Sequence, residues 1–462
     1  MKHAVLAGIM VCGQAFAQPC ERWQSNNPGT LPSGRWTCAM AHHAANETTV
    51  LFGGQLLADY AEMNDTWTFD GAQWRQVNVA GPSRRAGAMM AYDAARGRTV
   101  LFGGSAGTTV GPYYRDFYQD TWEWDGSTWQ RVATTGPTPR MGAAMAYDPV
   151  AGRVVLAGGL TYNGSWTALS DCWEWNGSVW TQTASLPAAT GNAPMAFDET
   201  SQRLVLFSGS CGQYCGFNSQ TFERVGAAWM ISGASGPIAR ANHMMAYSPE
   251  LGGTVLFGGT YGNPSGEMND TWLYREGTWR LMQTGGTPPR REAGVMVHDA
   301  SRHRLMVFGG GLVSPATLLQ DQWELAFGTP VITVQPVDQA VAADVPVAFV
   351  VTATSTTGCA HALTYRWQRR NQSVADPDAP GAWIDLVDGG GYANANGAVF
   401  TVLRAAPGFT GPFRCAVTDP CGCSTYSTSA DFSVACPADF NADGGVDFGD
   451  VQAFFDRWEN GC

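Results

Sequence analysis

The chain has 462 residues, of which 45% are hydrophobic and 14% are charged, and its formal net charge is −12 at pH 7. This length and composition predict a globular protein of about three domains. The acidic balance argues against sequence-independent nucleic-acid binding, which needs a basic surface. Lys2 is the only lysine and lies in a predicted signal segment, so Schiff-base and P-loop lysine chemistry are excluded from the mature chain.

Residues 1–17 have the features of a secretory signal peptide. Lys2 precedes the apolar run "AVLAGIMVCGQAFA", which is too short to span a bilayer and ends in the small-x-small sequence Ala15-Phe16-Ala17. We therefore expect a secreted protein, extracellular or at the cell surface, with no transmembrane segment. The alternative interpretation is a buried N-terminal strand.

Cleavage after Ala17 would remove Cys12 and leave an odd number of cysteines, eleven of the original twelve. An oxidising compartment favours disulfides, and an odd count predicts at least one free or intermolecular thiol. Spacing along the chain groups Cys20 with Cys38, Cys211 with Cys215, and Cys436 with Cys462, which makes Cys172 the predicted odd cysteine.

Residues 18–330 contain a pattern that recurs six times. The stretch "EMNDTW" occurs at both 62–67 and 267–272. Each unit has an alternating apolar run, a second run that ends in glycine, a loop, a third run that begins near Asp-Thr-Trp, and a final Trp. The third runs are marked by Trp67, Trp122, Trp173, Phe222, Trp272 and Trp323. Such a period predicts six units of four short strands.

The sixth unit lacks the final Trp, and the N-terminal segment around Trp23 has the same layout as the segment around Trp129. We expect the N-terminus to supply the last outer strand, which closes a ring and removes its sheet edges. The pattern resembles the Kelch-repeat family, which includes galactose oxidase-like proteins. The resemblance implies an all-β, six-bladed Kelch β-propeller.

Function is expected where the units differ, on loops held by a rigid ring. The longest loop, "SAGTTVGPYYRDFYQ", lies in the second unit. Clustered aromatic side chains with polar neighbours suit sugar rings or a protein hot spot. The predicted ligand residues in this loop are Tyr113, Tyr114, Arg115, Phe117 and Tyr118. The alternative is an insertion that packs on its own blade.

An arginine lies seven residues before the Tyr or His of five of the six first strands, and Thr190 takes its place in the fourth unit. These residues are Arg35, Arg85, Arg140, Arg240 and Arg291. On a Kelch propeller they would share a face with the aromatic loop, near the channel mouth, where they could bind an anionic ligand. The alternative is a structural role in tying adjacent blades.

The resemblance also implies an enzyme alternative, a carbohydrate-active propeller related to sugar epimerases or oxidases. The oxidase-like enzymes need a copper site of tyrosines, histidines and a cross-linked cysteine, part of it from the C-terminal domain. His361 is the only histidine of that region, and the copper constellation cannot be assembled. We therefore expect a binding protein, with a glycan or protein ligand, rather than an enzyme.

Residues 331–435 read as a β-sandwich that resembles a bacterial immunoglobulin-like domain. Trp367 is predicted to be the buried central Trp, and Cys415 lies late in the fold. Val350 and Val351 stand where a bridge cysteine would be expected. The four cysteines of this region, Cys359, Cys415, Cys421 and Cys423, permit three disulfide connectivities. The expected role is a spacer or adhesive module.

Residues 436–462 contain a calcium-loop motif, "DFNADGGVDFGD". Its predicted ligands, at loop positions 1, 3, 5, 7, 9 and 12, are Asp439, Asn441, Asp443, the Gly445 carbonyl, Asp447 and Asp450. The following "VQAFFDRWENGC" can form the exit helix. The segment resembles one dockerin loop, which implies a surface or cohesin-like partner, although a dockerin has two such loops. The alternative is a solvated acidic tail.

Overall fold

The computed structural model describes residues 21–57, 60–107, 115–212, 216–261, 266–326, 330–342, 344–354, 363–376, 379, 381–406, 409–418, 424–435 and 448–459. The chain divides into two compact units, one of residues 21–327 and one that includes residues 328–462. No helix in the described ranges is long and apolar enough to cross a membrane.

The first unit is a β-propeller built from six four-stranded antiparallel sheets. After β1 (Arg22–Ser25), sheet 1 contains β2 (Ala39–His43), β3 (Thr48–Phe52), β4 (Thr66–Phe69) and β5 (Trp74–Val77). Sheet 2 contains β6 (Met89–Asp93), β7 (Arg98–Phe102), β10 (Thr121–Trp124) and β11 (Trp129–Ala133), with a two-stranded ribbon of β8 (Ser105–Gly107) and β9 (Arg115–Phe117).

The next two sheets repeat this layout. Sheet 3 contains β12 (Ala144–Asp148), β13 (Arg153–Ala157), β16 (Cys172–Trp175) and β17 (Trp180–Thr183), with a ribbon of β14 (Leu160–Tyr162) and β15 (Trp166–Ala168). Sheet 4 contains β18 (Met195–Asp198), β19 (Arg203–Phe207), β20 (Thr221–Val225) and β21 (Ala228–Ser232).

Sheets 5 and 6 complete the propeller. Sheet 5 contains β22 (Met244–Ser248), β23 (Gly253–Phe257), β26 (Thr271–Arg275) and β27 (Thr278–Leu281), with a ribbon of β24 (Thr260–Tyr261) and β25 (Gly266–Glu267). Sheet 6 contains β28 (Val295–Asp299), β29 (Arg304–Phe308), β32 (Gln322–Ala326) and β1, with a ribbon of β30 (Gly311–Val313) and β31 (Ala316–Leu318).

The predicted closure by the N-terminal strand is confirmed, because β1 pairs antiparallel with β32. Trp23 of β1 is 1% exposed, and its Nε1 donates to Oγ1 of Thr271 in sheet 5 at 2.9 Å. Equivalent bonds join sheets 2 and 1, 3 and 2, and 5 and 4, and Trp74 of sheet 1 donates to Gln322 of sheet 6. The outer-strand tryptophans therefore fasten each of these sheets to the one before it.

The second unit contains a β-sandwich. One layer contains β34 (Gln339–Ala342), β37 (Thr364–Arg370), β38 (Trp383–Asp385), β41 (Gly411–Thr418), β42 (Ser424–Tyr426) and β43 (Ala430–Ala435). The other contains β35 (Val347–Val350), β39 (Tyr392–Ala393) and β40 (Val399–Val402), and β33 (Val331–Val334) pairs with β36 (Thr352–Thr354). Trp367 is fully buried in the core between the layers, as expected, against Phe349 and Phe400.

A helix, α1 (Phe448–Glu459), covers most of the segment that was expected to be helical and overlaps the last three residues of the predicted calcium loop. It begins three residues earlier than the segment "VQAFFDRWENGC". Asp450 lies in its first turn, where a carboxylate is stabilised by the helix dipole.

Candidate functional site

The five predicted arginines are fully buried and clamp two strand ends within their own sheets. Each guanidinium forms a bidentate ion pair with the Asp that precedes the third strand, and its Nη1 also donates to a carbonyl at the end of the second strand. The pairs are Arg35–Asp65, Arg85–Asp120, Arg140–Asp171, Arg240–Asp270 and Arg291–Asp321, each with a shortest contact of 2.7 Å. We call these pairs the arginine clamps.

The clamps correct the idea that the arginines stand free at the channel mouth. Their guanidinium groups are hydrogen-bonded inside the protein. Arg140, for example, makes five bonds, to Asp171, the Gly158 carbonyl and both oxygens of Thr138, and Arg240 and Arg291 make four each. The alternative prediction is that the arginines tie adjacent blades. The side chains instead join strands within one sheet, and the backbone makes the contact between sheets, since Gly54 N donates to the Arg85 carbonyl. These arginines are structural residues.

The ion pairs lower the pKa values of three of the clamp carboxylates. Burial alone would raise the pKa of Asp171, but hydrogen bonds from Arg140 and Trp173 and the charge of Arg140 lower it below the ordinary value of 3.8. The pKa values of Asp120 and Asp270 are lowered in the same way by Arg85 and Arg240. These three carboxylates are therefore ionised near neutral pH.

Sheet 4 lacks the clamp altogether. Thr190 replaces the arginine, Gln220 replaces the aspartate, and Phe222 replaces the Trp that donates to that aspartate elsewhere. The Thr190 hydroxyl donates to the Ser208 carbonyl at 2.8 Å. The two charges are lost together, which avoids an unpaired buried charge.

The contacts of the clamps show that the loops into the first strands and the loops between second and third strands lie at the same end of each sheet. We call this end the ribbon face, and the opposite end, with the loops between first and second strands, the turn face. The repeated "EMNDTW" helps to build the ribbon face. Glu62 accepts from Gly107 N at 3.0 Å and Glu267 from Val313 N at 2.7 Å, so each Glu holds the ribbon of the next sheet.

Half-buried aromatic side chains from two ribbons meet on the ribbon face. Phe117 of β9 lies edge-on to Trp166 of β15, with ring centroids 6.0 Å apart, and Trp166 contacts Tyr162 of β14 at 5.5 Å. Tyr118, by contrast, packs under the buried guanidinium of Arg85, 4.2 Å from its ring centroid. We call Phe117, Tyr162 and Trp166 the aromatic patch.

The patch contains one of the five predicted loop residues, Phe117. Tyr113 and Tyr114 lie outside the described residues, and of Arg115 the structure describes only the backbone of β9. Sequence reasoning missed Tyr162 and Trp166 because their loop has ordinary length. Their aromatic content in a loop next to the longest one was the signal that could have found them.

The channel between the first strands is narrowed by a closed ring of six backbone hydrogen bonds. Each donor is the residue two or three before a first strand, and each acceptor is its counterpart in the preceding sheet, at N to O distances of 2.7 to 2.9 Å. The members of this neck ring are Thr37, Gly87, Gly142, Asn192, Asn242 and Ala293. All have φ between 51° and 65°, a left-handed conformation that costs energy for the four that are not glycine.

Two adjoining cavities follow the channel from the neck ring to the turn face. A cavity of about 150 Å³ lies beside the ring and shares Cys38 and His243 with one of about 490 Å³. The larger cavity ends among turn residues such as Pro149, Glu199 and Pro249. Its size is within the range of small-ligand sites.

Aromatic and histidine side chains line the larger cavity toward the turn face. Four sheets contribute Tyr92, Tyr147, Phe197 and Tyr247, and the others contribute His42 and His298. His298 Nε2 lies 3.1 Å from Glu250, and His303 Nδ1 lies 3.0 Å from the same carboxylate. Partial burial alone would raise the pKa of Glu250, but the hydrogen bond with His298 lowers it to about 2.

A carbohydrate-active enzyme would be expected to place a buried carboxylate beside two of the clamp arginines in a closed pocket. In the described part of the chain, each clamp aspartate pairs with one arginine, and none of these aspartates lines either channel cavity.

Three described cysteines are free and buried: Cys38, Cys172 and Cys415. The predicted bridge between Cys20 and Cys38 is therefore not formed, because Cys38 faces the packed interior beside Gly54. Cys172 is free, as expected, but buried, which raises its pKa to about 12 and keeps it from joining molecules. It occupies the threonine position of β16 and packs with Trp229. Cys20, Cys215, Cys359, Cys421, Cys423, Cys436 and Cys462 lie outside the described residues.

The predicted calcium ligands Asp439, Asn441, Asp443, Gly445 and Asp447 lie outside the described residues. The sixth, Asp450, is 2% exposed, although its neighbour Phe448 is largely exposed. Among the residues that the structure does describe, no group of three or more His, Cys, Asp or Glu side chains is placed to hold a metal ion.

Comparisons with known proteins agree with the propeller. No family profile matches the chain, and no curated protein matches it. Among solved structures, that of YjhT, a Kelch-like β-propeller, aligns with a TM-score of 0.50 and 14% identity, over 66% of this chain and 97% of that one. A titin fragment, I67–I69, aligns over 24% of this chain and 33% of its own with 21% identity, but its TM-score of 0.17 carries no argument. The likeness to YjhT supports a β-propeller fold and carries no argument about function.

Proposed function

We propose that this chain is a secreted or surface-associated binding protein whose propeller recognises a carbohydrate through the aromatic patch on its ribbon face. The observation that carries the proposal is the contact of Phe117, Tyr162 and Trp166 across two ribbons. Half-buried aromatic rings offer an apolar face to the C–H side of a sugar ring. The Glu62 bond to Gly107 holds the ribbon of sheet 2 that carries Phe117, which keeps this side of the surface in place before a ligand arrives.

The proposal includes the finer architecture. The six sheets are the blades of a Kelch-type propeller, the sandwich is an immunoglobulin-like spacer or adhesive module, and residues 1–17 direct secretion. Mass spectrometry of the secreted chain tests the last point, since a mature N-terminus at Gln18 is expected and retention of Lys2 would contradict it.

The test of the carbohydrate proposal is a glycan array probed with the full chain and two variants. Tyr162→Ala with Trp166→Ala removes most of the patch. Tyr261→Ala is the matched control, because Tyr261 is an exposed aromatic residue on the ribbon of sheet 5, three sheets from sheet 2. Binding that the double variant loses and the control keeps is expected. Binding that the double variant keeps, or no binding by the full chain, would overturn the proposal.

We further propose that Asp439, Asn441, Asp443, the Gly445 carbonyl, Asp447 and Asp450 bind calcium and that the tail attaches the protein to a surface or cohesin-like partner. The spacing of these oxygen donors supports the proposal, because positions 1, 3, 5, 7, 9 and 12 of such a loop converge on one hard cation. Calorimetry on the full chain should show calcium binding that Asp443→Ala abolishes and Glu459→Ala, on the exposed end of α1, preserves. Absence of a calcium signal from the full chain would refute the site.

A further inference from the structure

The outer face of the larger sandwich layer carries an arginine between two aromatic rings. Trp367 of β37 and its partner Cys415 of β41 lie in the core, so the positions that alternate with them face outward. One of these is Arg414, whose guanidinium carbon lies 4.2 Å from the ring centroid of Trp383 on β38 and 4.2 Å from that of Tyr426 on β42. We call Trp383, Arg414 and Tyr426 the arginine stack.

A line of hydrogen bonds across three strands fixes the arginine stack. Arg414 Nε donates to Gln368 Oε1 at 2.8 Å, and Gln368 Nε2 donates to Asp385 Oδ1 at 2.7 Å. Arg366 Nη1 donates to the other oxygen of Asp385 at 3.0 Å. The polar groups of this face are therefore oriented in advance, which lowers the entropy that a ligand must lose from the protein on binding.

This face is positively charged, although the whole chain has a formal net charge of −12. The outward positions of β37, β38, β41 and β42 hold Arg366, Arg370 and Arg414, and Asp385 is the one acidic residue among them. A local group of like charges creates a field that attracts ligands of the opposite sign. The charge of the face therefore suits an anionic ligand.

The arginine stack is open to solvent and is not needed to fill the core. Tyr426 is 51% exposed, and the side chain of Arg366 is 59% exposed. None of the three stack residues belongs to the core cluster around Trp367. Small polar residues, such as Ser424 on the same face, would be enough to cover a solvated sheet. Trp, Tyr and Arg together are instead the residue types that dominate binding surfaces.

We propose that the outer face of the sandwich binds an anionic polysaccharide, a polymer whose sugar rings carry carboxylate or sulfate groups. A guanidinium stacked on aromatic rings presents its N–H donors at its edge, in the geometry that oxyanions accept. The exposed ring of Tyr426 offers an apolar face to the C–H side of a sugar. An acidic protein segment would use the charge but not the ring. The site belongs to the sandwich and does not depend on the aromatic patch of the propeller.

The test is binding of the full chain to four immobilised polymers, measured by surface plasmon resonance. Dextran sulfate and carboxymethyl dextran carry sulfate and carboxylate groups on the same backbone, unmodified dextran has the backbone alone, and poly-glutamate has the charge without sugar. Polyanions repel an acidic chain as a whole, so binding to them reports a local site. We expect stronger binding to at least one anionic dextran than to dextran or poly-glutamate, and weaker binding as salt rises. Equal binding to dextran or poly-glutamate, or no binding to either anionic dextran, would overturn the proposal.

Matched variants locate the site. Arg414→Gln with Tyr426→Ala should lower the affinity for that anionic dextran about tenfold or more, as expected for the loss of a charge-assisted hydrogen bond. Arg404→Gln with Tyr261→Ala makes the same change in charge and also removes an exposed tyrosine, so it should bind like the parent chain. Arg414→Lys keeps the charge but loses the planar fork, and should also bind more weakly. Equal losses in the two double variants, or full affinity of Arg414→Lys, would overturn the proposal.

The patch variant separates this site from the propeller site. Tyr162→Ala with Trp166→Ala leaves the sandwich unchanged and should keep the binding to the anionic dextran. Loss of that binding would assign the polyanion to the propeller and contradict the role of the arginine stack.

Discussion

The arginine clamps give a specific prediction about stability, because sheet 4 has Thr190 and Gln220 in place of the paired Arg and Asp. Arg140→Thr alone removes five hydrogen bonds and leaves Asp171 without its counter-ion. Breaking a buried pair in this way costs about 3–5 kcal/mol. The Asp171 side chain is 22% exposed, so partial solvation places the expected loss near the lower figure, about 3 kcal/mol.

Adding Asp171→Gln to Arg140→Thr should restore stability, although it removes a second native side chain. The double variant copies Thr190 and Gln220 of sheet 4, where no buried charge is left unpaired. Replacing both partners costs far less than removing one, so the expected loss is about 1 kcal/mol.

Urea unfolding followed by tryptophan fluorescence measures both losses, since most tryptophans lie in residues 21–327. The two units can unfold separately, so the propeller transition is the one to compare. A double variant less stable than Arg140→Thr would refute the reasoning, and so would a loss below about 1 kcal/mol for the single variant.

Three further predictions concern the same propeller. Cys172→Thr should stabilise it by about 1 kcal/mol, because a hydroxyl would accept from Trp229 as in the other sheets, and Cys172→Ala in the same urea assay should not. Gly142→Ala should destabilise the propeller by at least about 1 kcal/mol, because the new Cβ would clash with Asn192 Oδ1 and the residue has φ +58°. Ala293→Gly, at φ +54° in the same neck ring, should stabilise the propeller. If thermal unfolding places Ala293→Gly below Gly142→Ala in stability, the strain argument is wrong. The lowered pKa values of Asp120, Asp171 and Asp270 mean that their contribution is present above their ordinary value of 3.8 and is lost as pH falls through the lower folded values; acid titration should show this loss for the parent chain and a smaller one for Arg140→Thr with Asp171→Gln.

The propeller could be predicted from the sequence because its signals are local and repeated. A Trp or Phe marks each third strand in the sequence. Trp23 takes the place of the final Trp that the sixth unit lacks, which predicted that β1 completes sheet 6. These features arise from strand periodicity and from residues that pack the same way in every sheet. A single sequence is enough to show them.

The role of the arginines could not be read in the same way. Arg35 and Asp65 are separated by 30 positions, and spacing alone does not tell whether a guanidinium points into solvent or folds back on its own sheet. The neck ring was equally hidden. Thr37 and Ala293 are residues that disfavour a left-handed backbone, and only the hydrogen bonds around the ring explain why they adopt it.

The candidate site was predicted in part. Loop length identified the ribbon that carries Phe117, but Tyr162 and Trp166 join it only because sheets 2 and 3 are neighbours in the ring. Contacts between sheets are the part that a single sequence does not specify.

The measurement that tests the central claim most directly is fluorine NMR of the full chain labelled with 5-fluorotryptophan, titrated with the strongest ligand from the glycan array. The Trp166 resonance, assigned by Trp166→Phe, should shift until saturation. The resonance of Trp175, which is fully buried in sheet 3, should stay in place. A Trp166 signal that remains unmoved at saturating ligand would contradict the assignment of the ribbon face as the binding surface.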